Sequence, residues 1–215
     1  MMSYVLSNNM KYTFVPSFLY ILKARLKNRS FVYEFYFKGK KTLDIGCGEG
    51  EFLKYDKHLI TGFDPNQRVV EKLKKEGYKA EYAHGQGMPF SAGDFEAAHC
   101  HNVIEHLDVA TAYSMLKETA RILKVGGYLV LSTEVVNRKF WDTFGHVKPY
   151  PPAAVIKLLR PNSREEFEGI SDFEPIGLFY IGNYHRNKII YLVSFFLGYF
   201  TPICRREYFL VLKKK

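Results

Sequence analysis

The chain has 215 residues, of which 47% are hydrophobic and 25% are charged. This length and composition suit one globular α/β domain with an ordinary core, and they exclude a disordered chain, a collagen and a disulfide-stapled miniprotein. The three cysteines (Cys47, Cys100 and Cys204) are far apart and form no C-x-x-C pair. The sequence therefore predicts neither a structural zinc site nor a disulfide framework, as is usual in a reducing cytosol.

The net charge of +9 is concentrated at the two ends of the chain. Residues 1–41 hold eight Lys or Arg against one acid, and residues 151–215 hold ten against six. Such ends indicate either an anionic partner or simply a solvated basic surface. The N-terminus lacks the features of a signal peptide, and the longest apolar stretch, 189–203, is shorter than the roughly twenty residues of a membrane span. We expect a cytoplasmic protein, with peripheral contact to a membrane left open.

The hydrophobic pattern predicts strands and helices that alternate along the chain. A basic, aromatic helical lead-in is predicted over 11–37. Buried parallel strands are predicted at 41–45, 59–63, 97–100 and 128–132. Helices are predicted at 51–55, 67–76, 113–123 and 153–159. The last two strands, 174–181 and 208–212, are expected to pair as an antiparallel edge. The predicted fold is therefore α/β, a doubly wound Rossmann-like sheet of seven strands, mostly parallel with an antiparallel edge strand.

The sharpest motif is a glycine-rich turn at residues 42–52. A buried strand carrying Asp44 is followed by G-x-G-x-G, formed by Gly46, Gly48 and Gly50. Glycines let the backbone pass close to a ligand, and a helix that follows would present free N–H groups. Dinucleotide enzymes also use glycine-rich turns, but an acid before the turn repels a pyrophosphate and attracts an ammonium group. The motif predicts an amino-acid-like ligand.

A second acid, Asp64, ends the next predicted strand about eighteen residues after the turn, where it could accept hydrogen bonds from both hydroxyls of a ribose. The alternative is that Asp64 only caps the following helix. Together, the two motifs predict a nucleoside that carries a positively charged amino-acid arm.

Five segments in this order resemble the class I S-adenosylmethionine-dependent methyltransferases: 42–52, 62–65, 85–95, 100–107 and 121–130. The fourth segment is similar to the type 11 branch, which includes ubiquinone and sugar-lipid methyltransferase-like proteins. The resemblance covers roughly residues 40–135 and implies S-adenosyl-L-methionine as cofactor and S-adenosyl-L-homocysteine as product. It implies a single methyltransferase domain over 1–215, with a lead-in at 1–38, a cofactor core at 39–135 and an acceptor side at 136–215.

The resemblance also implies roles for individual residues. The glycine turn would hold the methionine moiety, Asp64 the ribose, and the strand exit near residue 101 the sulfonium side. The implied cofactor-binding set is Asp44, Gly46, Cys47, Gly48, Gly50, Asp64, Pro65, Gln86, Gly87, Met88, His101 and Asn102. One position departs from the family, because His84 stands where an Asp often binds the adenine amino group. We expect Gln86 to accept that hydrogen bond instead.

The acceptor is expected to bind the loop at 133–150, because ligands bind outside the carboxyl ends of parallel strands. His146 is predicted to be the catalytic base for a hydroxyl acceptor, or alternatively to pin the loop by a hydrogen bond. Glu134 is predicted to orient the acceptor. Glu105 and His106 are expected to be structural, and the spacing of the histidines predicts no metal site.

The apolar segment within 184–206 is flanked by basic residues. It could cover the acceptor cleft, lie in a membrane interface or belong to the core. We expect methyl transfer to a hydroxyl of a small-molecule or lipid- or sugar-linked acceptor. The alternatives are an RNA or protein methyltransferase and a non-catalytic cofactor-binding subunit. Methylation of nucleic-acid bases is not favoured, because the strand exit at 101–104 lacks the Asn/Asp-Pro-Pro-Tyr motif of those enzymes. The oligomeric state stays open.

Overall fold

The computed structural model describes residues 13–26, 30–83, 87–160, 167–182 and 187–215. Its seven strands are β1 Thr42–Ile45, β2 Ile60–Asp64, β3 Lys79–Tyr82, β4 Phe95–His101, β5 Leu123–Glu134, β6 Phe173–Gly182 and β7 Arg205–Lys214. The α-helices are α1 Phe18–Leu26, α2 Gln67–Lys75, α3 Val109–Ile122, α4 Pro152–Leu158 and α5 Lys188–Phe200. The strands form one sheet in the order β3-β2-β1-β4-β5-β7-β6.

The predicted α/β fold is confirmed, with a difference at one edge. Strands β1 to β5 pair in parallel, and β7 is antiparallel to both of its neighbours, β5 and β6. The antiparallel strand therefore lies one place inside the sheet, and β6 forms the edge. Burial explains this order, because β7 carries six consecutive buried residues whereas buried and half-buried residues are interspersed along most of β6. A strand apolar on both faces requires cover on both faces.

Strand β3 is the element that the hydrophobic pattern did not predict. Only Ala80 of its four residues is buried, so no apolar run marks it in the sequence. It starts shortly after Gly77, whose positive φ of 83° ends helix α2. Pairing with β2 on one side, rather than burial, holds this edge strand in place.

The glycine turn leads into a short 3-10 turn at Leu53–Tyr55, and the helix predicted at 51–55 is wrong to that extent. Gly46, Gly48 and Gly50 have positive φ angles of 69°, 48° and 78°. Left-handed backbone at every second residue from 46 to 50 prevents these residues from nucleating an α-helix. The N–H groups that face a ligand here belong to the turn itself and not to a helix N-terminus.

The basic lead-in is part of the core. It comprises α1 and a π-helical turn at Tyr33–Phe37, whose Tyr36 and Phe37 are fully buried. The Tyr36 hydroxyl donates to Phe14 O at 3.0 Å, and the Tyr128 hydroxyl donates to Tyr36 O. The lead-in covers one face of the sheet together with α2 and α5, while α3 and α4 cover the other face.

Helix α5 presents two different faces. Phe195 is fully buried and stacks on Phe18 of α1 with ring centroids 5.1 Å apart. Ile189, Val193 and Phe196 on the other face are 73%, 54% and 50% exposed. Helix α5 therefore belongs to the core by one face and is exposed to solvent on the other, while a role in covering the acceptor cleft or in membrane contact stays a prediction. Over the ranges that the structure describes, no helix has the length and apolar content to cross a membrane.

Candidate active site

The parallel strands bring the predicted site residues to one edge of the sheet. Strands β2, β4 and β5 end at Asp64, His101 and Glu134, and β1 ends directly before the glycine turn. Because β1, β2, β4 and β5 pair in parallel, their carboxyl ends meet at this edge. Ligands of doubly wound sheets bind at such an edge.

Asp64 lies at the centre of the predicted cofactor side. Its carboxylate accepts backbone hydrogen bonds from Gly48 N at 3.0 Å and from Asn66 N at 2.8 Å. A carboxylate has about four lone-pair sites, so both oxygens can accept further bonds from a ribose. The capping alternative does not apply to Asp64, because Asn66 caps α2 by accepting from Arg68 N at 3.1 Å.

A cavity of about 760 Å³ opens beside Asp64 and has room for a nucleoside base. It is lined by Pro65 and Asn66, as the resemblance implies, and also by Tyr82 at the end of β3. Sequence reasoning missed Tyr82 because it missed β3. The one sequence signal for Tyr82 is an aromatic residue that stands in an otherwise polar stretch.

The glycine turn fits a ligand at one of its three glycines. A Cβ added to Gly48 would meet none of the described residues within 4 Å, whereas one at Gly46 would lie 2.4 Å from Val103 Cγ2 and one at Gly50 2.5 Å from Leu73 Cδ2. Gly46 and Gly50 are thus required for packing. Gly48 alone leaves open space beside Asp64, and this space suits the methionine arm of S-adenosylmethionine.

Asp44 forms a buried pair that the sequence did not reveal. Its Oδ1 lies 2.7 Å from Nδ1 of His99, and the His99 ring stacks on Phe52 at 3.9 Å between centroids. Asp44 is only 4% exposed. One carboxylate oxygen is therefore engaged by His99, and the other remains for the ammonium group that the sequence analysis assigned to Asp44.

Two predicted cofactor residues lie beneath the site surface. Cys47 is buried, and burial, with the charges of Asp44 and Asp64, raises the pKa of its thiol to about 12, so the side chain is neutral and packs under the turn. Met88 is also buried within the core. Their contribution to a ligand would come from the backbone.

The backbone at Met88 is fixed by two residues of α3. Glu118 accepts from Met88 N at 3.1 Å, and Arg121 donates to Met88 O at 3.0 Å and to Phe90 O at 2.8 Å. Gly87 beside it has open space at its Cβ position. His84 and Gln86 lie outside the described residues.

His101 and Asn102 stand at the exit of β4. Nδ1 of His101 lies 2.7 Å from Ser132 Oγ and 2.9 Å from Glu207 Oε1. Burial disfavours the protonated ring, but the hydrogen bond and charge of Glu207, with the charges of Glu105 and Asp44, outweigh this and raise the pKa of His101. Together with Glu134, His101 and Asn102 line a cavity of about 230 Å³.

His146 lies with Glu105 and His106, and Glu134 lies instead in the cavity beside His101. Nδ1 of His146 donates to Phe140 O at 2.7 Å, and Nδ1 of His106 donates to Gly145 O at 2.8 Å. Carbonyl oxygens only accept, so Nε2 is the nitrogen that keeps a lone pair on each ring. Val147 N also donates to Glu105 O at 2.8 Å, which ties the loop to the turn after β4.

Glu105 is the most unusual group at this edge. It is 1% exposed, and neither carboxylate oxygen has a hydrogen-bond partner of normal geometry among the residues that the structure describes. Burial raises its pKa, against weaker opposing effects of its backbone amide, Thr133, His106 and His146. The sequence analysis predicts a structural role for Glu105, since an acid at the start of a helix commonly caps it. In the structure, Asp108 is the residue that caps α3.

An apolar cavity of about 630 Å³ adjoins this cluster. It lies between α3, the loop at 136–151 and α4, and its lining includes Ile104, Leu116, Val136 and Tyr150. The Tyr150 hydroxyl donates to Leu107 O at 3.0 Å and so fixes one wall. The cavity suits an apolar part of an acceptor whose reacting group approaches the sheet edge.

Residues 43–131 match the profile of the family described as a methyltransferase domain. The chain is 31% identical over 112 residues to a ubiquinone biosynthesis O-methyltransferase of Aromatoleum aromaticum, covering 47% of this chain and 46% of the relative. It is 28% identical over 105 residues to a tRNA (carboxymethyluridine(34)-5-O)-methyltransferase of Xenopus tropicalis, covering 48% of this chain and 17% of the relative. The crystal structure of a SAM-dependent methyltransferase from Archaeoglobus fulgidus superposes with a TM-score of 0.60 at 20% identity, covering 90% of this chain and 93% of that one.

The sheet order and the match of residues 43–131 thus define a methyltransferase domain of class I, a class whose cofactor is S-adenosyl-L-methionine. Within that class, the type 11 family is the one whose profile these residues match. The chain spans less than half the length of the two curated relatives.

Proposed function

We propose that the chain is a methyltransferase that transfers a methyl group to a hydroxyl of a small-molecule or lipid- or sugar-linked acceptor. The observation that carries this proposal is the 630 Å³ apolar cavity that adjoins the cluster of Glu105, His106 and His146. The likeness to a ubiquinone biosynthesis O-methyltransferase supports it.

The cofactor-side residues have separable tasks in this proposal. Gly48 leaves room for the methionine arm, Asp64 accepts hydrogen bonds from the ribose, and Asp44 attracts the ammonium group. When bound, S-adenosylmethionine supplies a methyl group on a positively charged sulfur. Positioning of the acceptor oxygen in line with that methyl group is the main demand on the protein.

The acceptor-side residues handle the hydroxyl proton. The proton leaves at the cluster around His146, whose Nε2 keeps its lone pair because Nδ1 donates to Phe140 O. Proton removal by a positioned group contributes about 10²–10⁴-fold in rate. Glu134, half-buried at the end of β5, orients the acceptor from the side of His101.

The test is incubation with methyl-labelled S-adenosylmethionine and extract of the source cell, fractionated into lipid, glycan, small molecules, RNA and protein. We expect the label in the lipid, glycan or small-molecule fraction, and none with Gly48→Val. Label confined to RNA or protein would overturn the proposed acceptor. Cofactor binding with no label in any fraction, restored by a second protein, would instead identify a cofactor-binding subunit.

We further propose that the acceptor is presented at a membrane surface. The half-exposed Phe196 of α5 contacts Phe18 of α1, Leu19 next to it in the chain is exposed, and so are the basic residues Lys23 and Arg206. Helix α5 joins the carboxyl end of β6 to β7, so it lies at the site edge of the sheet. Each Lys or Arg near an anionic surface adds about 1 kcal/mol of attraction.

Co-sedimentation with anionic and neutral vesicles at low and high salt tests this surface. We expect binding to anionic vesicles that weakens with salt and weakens again in Val193→Asp and Phe196→Asp. Val125→Asp is the matched control, because Val125 is 78% exposed and lies at the start of β5, away from α5. No binding of the wild-type chain to any vesicle would move the acceptor to the soluble pool.

A further inference from the structure

We propose that Glu105, His106 and His146 form a binding site for a divalent transition-metal ion of the Zn²⁺ type. One ligand atom from each of the three side chains lies within 4.8 Å of the others. The residues come from two separate segments, the turn after β4 and the loop after β5. Their spacing in the sequence gives no sign of a metal site, and only the fold brings them together.

Both histidines are held as metal-binding histidines usually are. Each Nδ1 donates to a backbone carbonyl, of Phe140 for His146 and of Gly145 for His106. This bond orients the ring and leaves the lone pair on Nε2, which is the form that binds a metal. The His106 bond also crosses between the two segments, so the turn and the loop are braced before an ion binds.

Glu105 supplies the independent observation that points to a cation. Among the described residues, no group makes a hydrogen bond of normal geometry to either of its buried oxygens. A carboxylate in that position needs a proton or a cation. The described basic side chains that interact with Glu105 are His106 and His146, the other two members of the cluster, and His101, which is already paired with Glu207.

The donor set selects the type of ion. Two imidazoles and one carboxylate suit Zn²⁺ and related transition metals, whereas Mg²⁺ and Ca²⁺ prefer oxygen ligands. Bonds of about 2.1 Å place tetrahedral ligand atoms about 3.4 Å apart, so the side chains must close by about 1–2 Å. His106 is exposed and can make that movement without repacking the core.

The ion deepens the proposed function, on which this step rests. Three protein ligands leave an open position, which would take the acceptor hydroxyl and lower its pKa. With the ion bound, the Nε2 lone pair of His146 is a metal ligand, so the ion takes the place of that ring in promoting proton loss. The O–H bond then breaks with the proton passing to solvent, the oxygen bonds to the methyl carbon, and the electrons of the carbon–sulfur bond return to sulfur.

The test measures ion binding without cofactor or acceptor, so its failure is separate from failure of methyl transfer. The chain is prepared as Cys204→Ser, because Cys204 is the partly exposed cysteine, and titrated with Zn²⁺ by calorimetry and with Co²⁺ by visible absorption. We expect one ion per chain, with affinity lowered at least tenfold in His146→Ala, His106→Ala and Glu105→Gln. His58→Ala, a change at an exposed histidine elsewhere, is the matched control.

Far-ultraviolet circular dichroism without metal shows whether each variant is folded. If the alanine variants are unfolded, Glu105→Gln still tests the site, because glutamine has nearly the same shape as the buried glutamate. Absence of binding in the folded parent chain would overturn the proposal. So would unchanged affinity in Glu105→Gln and in the histidine variants that fold, because the ion would then bind elsewhere.

Discussion

The cofactor side and the acceptor side of the sheet edge are built by different means. On the cofactor side, Gly48 and Asp64 lie sixteen residues apart and meet through one backbone hydrogen bond of 3.0 Å. On the acceptor side, Glu105 and His146 come from segments on either side of α3 and β5. The first arrangement depends on backbone conformation in a short stretch, and the second depends on how distant segments pack.

The difference has a consequence for mutation. A change on the cofactor side acts through a turn whose three glycines have positive φ angles, so we expect single substitutions there to have large and specific effects. A change on the acceptor side removes a side chain that packs against other side chains. The resulting loss of stability depends on how exposed that side chain is. The following four experiments test this contrast, beginning with the largest expected effect.

Gly48→Val should abolish cofactor binding. The added side chain enters the open space beside Asp64 and also strains a residue at φ 48°. Calorimetric titration with S-adenosylmethionine measures the loss. Gly77→Val is the matched control, because it carries the same kind of strain at φ 83°, of about 1–3 kcal/mol, with open space around it. Retained binding in folded Gly48→Val would contradict the assignment of this turn.

Phe195→Ala should lower the free energy of unfolding by about 3–5 kcal/mol, the usual cost of removing a buried aromatic ring. Phe195 is fully buried, while its neighbour Phe196 is 50% exposed. Phe196→Ala should therefore cost clearly less in the same urea titration. Equal losses for the two variants would mean that α5 does not present one buried and one exposed face.

Asp64→Ala should weaken cofactor binding by about 1–3 kcal/mol, because hydrogen bonds to a charged group are lost. Asp56→Ala is the control: Asp56 also accepts two backbone bonds, from His58 N at 2.9 Å and Leu59 N at 3.0 Å, but away from the site. Both variants should lose stability, and only Asp64→Ala should lose affinity in calorimetry. A similar loss of affinity in both would assign Asp64 to the fold alone.

His101 should give a small pH-dependent contribution to stability. Its pKa is raised in the folded chain despite burial, so the contribution is fully present below the pKa of the unfolded state and is lost as pH rises through the folded pKa. The unfolding free-energy difference between wild type and His101→Asn should therefore shrink as pH rises. In a Glu207→Gln background this free-energy difference should change less with pH. An unchanged pH dependence would show that Glu207 does not stabilise the protonated form of His101.

Patterns among residues close together in the chain predicted most strands of the sheet and the position of the glycine turn. Runs of buried residues marked β1, β2, β4 and β5, and the glycines marked the turn, because these features depend on residues close together in the chain. Strand β3 escaped prediction since a single buried residue, Ala80, leaves no periodic pattern. The absence of an α-helix after the turn was missed because the φ angles of its glycines are not written in the sequence.

Packing between distant segments decided the rest. His99 pairs with Asp44, 55 positions earlier in the chain, and His146 joins Glu105 and His106, which lie about 40 positions earlier. The order of β7 and β6 depends on which strand is covered on both faces. Most strands, the glycine turn and the class of cofactor could be predicted from the sequence, because residues close together in the chain specify them. The arrangement of the acceptor side became visible in the folded chain, because burial and the proximity of charged groups arise from packing between distant segments.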